Sequence, residues 1–124
     1  MKGVLIVDDD EDILYIFKRF FDFQGYEAKT ANNPDSAIEI QTDNAFDYAI
    51  LDYMLPKMTG EKLAQILLEK DPTVNIIFVT GYSSKYELLK NVSDNVIDVL
   101  IKPVNFDRVV DIIKGHETTT QGSC

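Results

Sequence analysis

The chain has 124 residues, 45% of them hydrophobic, which is one domain's worth of sequence with enough apolar material for a buried core. Its 21 acidic against 12 basic side chains give a formal net charge of −9, so nucleic acid or an anionic membrane surface would repel it. The single cysteine, Cys124, excludes an intramolecular disulfide and fits a reducing, cytoplasmic compartment; no apolar stretch reaches the length of a membrane span, and Met1-Lys2-Gly3 runs into strand-like sequence instead of a signal peptide.

In chain order, Lys2 to Val7 is a short, continuously apolar run of the kind buried on both faces of a parallel sheet. The acidic run Asp8 to Asp12 follows, then Ile13, Ile16, Phe17 and Phe20 recur at helical spacing until Gly25. Tyr26 to Ala31 predicts a second strand, and Asn32-Asn33-Pro34-Asp35 a turn opening a short helix that ends near Asp43 and Asn44. Phe46 to Asp52 is a third strand, broken by Pro56 and Gly60, and a helix starts at Thr59 or Gly60 and stops at Asp71-Pro72. Asn75 to Thr80 is a fourth strand, Ser83 to Lys90 a weakly amphipathic helix, Val96 to Ile101 a fifth strand, and Phe106 to Lys114 a final helix. Residues 1–114 form the domain, and the polar stretch 115–124 is expected to be a disordered tail.

Five strands alternating with five helices predict an α/β domain of three layers around a parallel five-stranded sheet, with right-handed crossovers placing helices on both faces. All strands then point one way, and their carboxyl ends share the rim where open α/β sheets bind ligands. The first strand ends in Asp8 and Asp9, the third in Asp52, the fourth in Thr80 and the fifth in Lys102. Each has an ordinary explanation alone: helix capping for the acidic run, a turn for Asp52, strand propensity for Thr80, a solvated charge for Lys102. None of these explains why all of them end strands of one sheet.

Two carboxylates about 4 Å apart repel by about 4 kcal/mol at an effective dielectric near 20, so three together call for a cation or a proton. Hard oxygen ligands in small number suit Mg²⁺. A carboxylate nucleophile, a divalent metal, an ammonium and a hydroxyl are the parts needed to form and stabilise an aspartyl phosphate.

Val7-Asp8-Asp9, Asp52 with Met54-Leu55-Pro56 and Met58-Thr59-Gly60, Val79-Thr80-Gly81 and Lys102-Pro103, in this order and spacing, resemble a response regulator receiver domain of two-component signalling over about residues 2–114. The resemblance implies the flavodoxin-like (βα)5 fold with strand order 2-1-3-4-5. It implies that Asp52 takes a phosphoryl group from a phosphohistidine on a sensor histidine kinase or histidine phosphotransfer protein. Asp8, Asp9, the Asp52 carboxylate and the Met54 carbonyl would hold Mg²⁺. Thr80 and Lys102 would contact the phosphoryl oxygens, and the Lys102-Pro103 bond would be cis. The domain would catalyse its own phosphorylation and dephosphorylation instead of acting as an enzyme on a separate substrate. It would signal to a downstream protein target through the face of its fourth helix, fifth strand and fifth helix. Neither nucleic acid nor membrane is a partner of this domain, and a phosphorylation-dependent homodimer stays open. A stand-alone regulator and an excised domain of a longer one would read alike.

Three features depart from the family pattern. Receivers commonly carry Tyr or Phe three residues before the lysine, where this chain has Val99, so switching is left to a shift of the loop after Thr80. Met54 and Tyr82, two residues after Asp52 and Thr80, are neither acid nor amide and predict slow loss of the phosphoryl group. The first helix has a wide apolar arc from Ile13 to Phe23, as expected of a helix sunk between its neighbours; alternatively its margins, Leu14 or Phe23, help dock a helical phosphodonor. His116, in the tail, is not a credible phosphodonor.

The serious rival is a phosphatase of the haloacid-dehalogenase type, with Asp8 as nucleophile and Asp10 as acid/base. It leaves Asp52 and its Pro/Gly loop unexplained. A flavin or nucleotide module would want a Gly- or Ser-rich phosphate cradle where this chain has four Asp and a Glu. A calcium loop fails because Ile13 stands where the turn needs Gly.

Overall fold

The computed structural model describes residues 2–122, and of residues 118–122 the backbone alone. Its elements are β1 (Gly3–Val7), α1 (Glu11–Phe23), β2 (Glu27–Ala31), α2 (Pro34–Asp43), β3 (Tyr48–Asp52), α3 (Gly60–Lys70), β4 (Asn75–Thr80), a 3-10 turn (Ser83–Lys85), α4 (Tyr86–Lys90), β5 (Val96–Ile101) and α5 (Phe106–Gly122). The strands form one parallel sheet in the order β2-β1-β3-β4-β5, as expected, with β3 in the middle.

Alternation along the strands divides the core in two. Leu5, Val7, Ala49, Leu51, Ile76 and Phe78 meet α2, α3 and α4 through Ala37, Leu63, Leu67 and Leu89. Val4, Ile6, Tyr48, Ile50, Ile77 and Val79 meet α1 and α5 through Leu14, Phe17, Phe21, Val109 and Ile113. The Phe17 and Phe106 rings meet edge to face at 4.6 Å, fastening α1 to the start of α5.

Side chains at the helix starts fix where each helix begins. The Asp10 carboxylate accepts from the Asp12 and Ile13 amides, Asn33 from Ser36 beside Pro34, Thr59 from Lys62 and Asn105 from Arg108. The segment after β4 has no side-chain cap at Tyr82 or Lys85, and of α4 only Leu89 is buried. The helix expected over Ser83 to Lys90 accordingly splits into a 3-10 turn and a five-residue α-helix.

Two further expectations are corrected. The last helix does not give way to a disordered tail at Gly115 but continues to Gly122, because His116 Nδ1 lies 3.1 Å from the Tyr48 hydroxyl and the two rings pack edge to face; the rest of the expected tail, Ser123 and Cys124, lies outside the described residues. Tyr48 opens β3, so His116 sits at the rim opposite Asp52. Leu14 is not at a solvent margin of α1 but in the core, and the exposed apolar residues of that helix are Tyr15, Ile16 and Phe23, the last 87% exposed. Among the described residues no helix is long and apolar enough to cross a membrane.

Candidate functional site

β1 and β3 are neighbours buried on both faces, so the residues at their carboxyl ends emerge side by side on a rigid support. Asp8 and Asp52 are only 4% and 5% exposed, whereas Asp9 faces solvent. One carboxylate oxygen from each of Asp8, Asp9 and Asp52 lies within 4.8 Å of the other two. β5, two strands away from β3, delivers Lys102 just past its end. The Lys102 ammonium lies 3.2 Å from Asp52 Oδ2 and 3.7 Å from Asp8 Oδ2. The Lys102-Pro103 peptide is cis.

Asp52 pairs with Val79 across the β3–β4 ladder, so Thr80 is the next residue along the adjacent strand. Thr80 is 1% exposed; its hydroxyl oxygen accepts the Tyr82 amide at 3.0 Å, and its carbonyl accepts the Lys102 amide at 2.8 Å. The structure thus brings Asp8, Asp9, Asp52 and Lys102 to one point and sets Thr80 on the neighbouring strand end. The Met54 side chain is exposed, and an isolated antiparallel bridge from Met54 to Thr59 folds the loop back on itself.

Gly60 has a packing role beyond ending that loop. Its amide donates to the Tyr53 carbonyl at 2.7 Å, and a Cβ there would collide with the backbone carbonyl of Asp52. α3 is thereby drawn against the end of β3, which fixes the backbone of Asp52.

The charges are not balanced by protein alone. Burial pushes the Asp8 carboxyl up to about 6; the Asp10 amide, donating to it at 2.9 Å, pulls the other way, and Asp52 adds to the rise. Asp52 is also raised, by burial first, with the Lys102 ammonium and a backbone hydrogen bond from Met54 opposing. Burial pulls Lys102 down, but Asp52 and Asp8 outweigh it, and the ammonium is held above its ordinary range. Three oxygen donors around one point, two of them raised by burial, are a donor set that a hard divalent cation fits.

Asp10, by contrast, is turned to the α1 amides and is spent on capping. The acidic run is therefore two site residues followed by a helix cap, a split that composition could not reveal. Tyr53 was not foreseen near the site and carries no motif beyond its adjacency to Asp52. Its ring meets that of Tyr82 edge-on at 6.5 Å and carries the Lys85 ammonium at 5.8 Å.

Comparison with known proteins gives the same picture from another direction. The chain is 35% identical over 112 residues to the two-component response regulator ARR2 of Arabidopsis thaliana, covering 88% of this chain and 17% of that protein. It spans 17–25% of the length of three curated regulators it matches. A CheY-like response regulator receiver domain protein from Methanospirillum hungatei superposes with a TM-score of 0.88 at 29% identity, over 100% of this chain and 99% of that one. The response regulator TrrA of Thermotoga maritima, in complex with Mg²⁺-BeF, superposes with a TM-score of 0.80 at 30% identity, over 93% of this chain and 98% of that one. The family model for the response regulator receiver domain matches residues 4–114, so the chain belongs to the response regulator receiver family.

Proposed function

We propose that this domain accepts a phosphoryl group on Asp52 from a phosphohistidine of a histidine kinase or histidine phosphotransfer protein. The observation that carries the reading is the ammonium of Lys102 at 3.2 Å from Asp52, inside the same cluster as Asp8 and Asp9. An Asp52 oxygen attacks phosphorus, the phosphorus–nitrogen bond breaks, and the imidazole nitrogen leaves with the electron pair and takes up a proton. Lys102 sits where it can follow the negative charge from the carboxylate to the phosphoryl oxygens, and Thr80 can offer its hydroxyl proton to another of them.

Asp8, Asp9, Asp52 and the Met54 carbonyl would hold Mg²⁺, which supplies positive charge against the phosphoryl oxygens. The Mg²⁺-BeF complex of TrrA supports that assignment. Met54 and Tyr82, two residues after Asp52 and Thr80, carry neither acid nor amide to position a hydrolytic water, and their exposed side chains leave hydrolysis of the acyl phosphate slow. The signalling surface is the face of α4, β5 and α5, where Tyr86, Leu88 and Ile101 are exposed to a protein target.

The test is to phosphorylate the domain with phosphoramidate and Mg²⁺, reduce with borohydride and map the peptides. Reduction of an aspartyl phosphate gives homoserine, expected at position 52. Homoserine at position 8 would instead support the phosphatase reading, which the capping role of Asp10 already disfavours.

A further inference from the structure

Val99 has no ring to rotate; it is buried opposite Phe78 among the residues facing α2, α3 and α4. Something else must carry a change at Thr80 to α4. The Thr80 hydroxyl oxygen accepts the amide of Tyr82, the residue that opens the 3-10 turn. The Tyr82 ring, half exposed, meets the ring of Tyr53, which directly follows Asp52. Lys85, the last residue of the turn before α4, places its ammonium on the other partner, Tyr53. The chain leaving Asp52 and the chain leaving Thr80 therefore meet a second time outside the site, through three side chains. The segment they hold has no side-chain cap at its start, and α4 is tied down further along, by Leu89 in the core and by the Asn91 side chain donating to the Glu87 carbonyl, so its first turn is held by little else.

We propose that Tyr82 is the positioning residue that couples Thr80 to α4, with Tyr53 and Lys85 holding the loop in its resting place until Thr80 turns to the phosphoryl group. A hydroxyl that swings toward a new acceptor withdraws its oxygen from the Tyr82 amide. That amide is then without its partner, the turn shifts to satisfy it, and the Tyr82 ring leaves Tyr53. Both the aromatic contact and the cation–ring contact are weak at such exposed positions, so the closed loop is easily given up. The outcome is a rearranged α4 without any aromatic residue on β5. The inference rests on Asp52 being the acceptor.

The experiment uses the full chain with ring-labelled tyrosines and beryllofluoride with Mg²⁺ as the phosphoryl mimic, followed by fluorine and proton NMR. The expected result is a bound fluorine signal together with loss of the cross-peaks between the Tyr53 and Tyr82 rings. Thr80→Val, which lacks the oxygen that accepts the Tyr82 amide, should show those cross-peaks weakened before beryllofluoride is added and little further change when it is titrated to the wild-type bound fluorine intensity. Tyr82→Ala should diminish the shifts of residues 86–90 per bound beryllofluoride, and Tyr82→Phe should restore them. Ring cross-peaks that persist in wild type at full fluorine occupancy overturn the coupling while leaving the acceptor reading intact. No bound fluorine signal in wild type, or an equal one in Asp52→Asn, overturns the acceptor reading and the coupling with it.

Discussion

Asp8 shows how a residue can weaken the fold it belongs to. Its carboxyl titrates at about 6 in the folded chain against 3.8 ordinarily, chiefly through burial. The folded state therefore holds the proton more tightly than the unfolded state. Stability from this group is fully present below pH 3.8, falls as pH rises toward 6, and is flat above; the loss is about 3 kcal/mol at most. Without metal at pH 7.5, Asp8→Asn should thus be more stable than wild type by roughly 1–3 kcal/mol in urea titrations, the attraction of Lys102 at 3.7 Å being already part of the net shift. The gap should close at pH 4. If the proposed site holds Mg²⁺, the cation should reverse the order by raising the melting temperature of the wild type, and Asp9→Asn, which removes the exposed carboxylate of the cluster, should abolish that rise. Met54 makes a kinetic prediction at the same scale: Met54→Asn places an amide where an exposed apolar side chain now stands, and the phosphoryl half-life should shorten.

At the scale of elements, the β3–α3 connection carries Asp52, the proposed acceptor. Gly60→Ala forces a methyl onto the Asp52 carbonyl and must push α3 away from β3. The expected cost is about 1–3 kcal/mol in urea unfolding, together with weaker Mg²⁺ binding. In the sequence Gly60 is legible as a helix breaker, but its close approach to Asp52 is a tertiary fact. The inner strands were legible because both faces are buried: in β4 the run from Ile76 to Val79 is apolar throughout and gives way to the polar Thr80. The rim was legible for the same reason, since parallel strands must end together. What escaped was set by single side-chain contacts: the missing cap before α4, the His116–Tyr48 contact that extends α5, and the burial of Leu14 beside residues of equal hydrophobicity. Periodicity assigns a face; it does not say where on that face the neighbouring helix lies.

The whole molecule is two helix layers sharing one sheet, and that sharing decides how it unfolds. Along β1, Val4 and Ile6 belong to the α1/α5 layer while Leu5 and Val7 belong to the α2/α3/α4 layer. Neither layer can melt alone without exposing half of every strand, so the domain should unfold in one cooperative step. Leu67→Ala in α3 removes fully buried carbons from one layer and should cost about 2–5 kcal/mol; Ile113→Val in α5 removes one methylene from the other and should cost about 0.5–1.5 kcal/mol. The two residues lie in separate clusters on opposite sheet faces, so their costs should add within about 0.5 kcal/mol in the double variant. Circular dichroism and tyrosine fluorescence should report the same urea midpoint for each variant. A biphasic transition, with each substitution shifting a different phase, would mean that the layers are independent and that the sheet does not transmit stability between them. In that case the rim that carries Asp8 and Asp52, built from strands common to both layers, would loosen on one side while the other stayed folded.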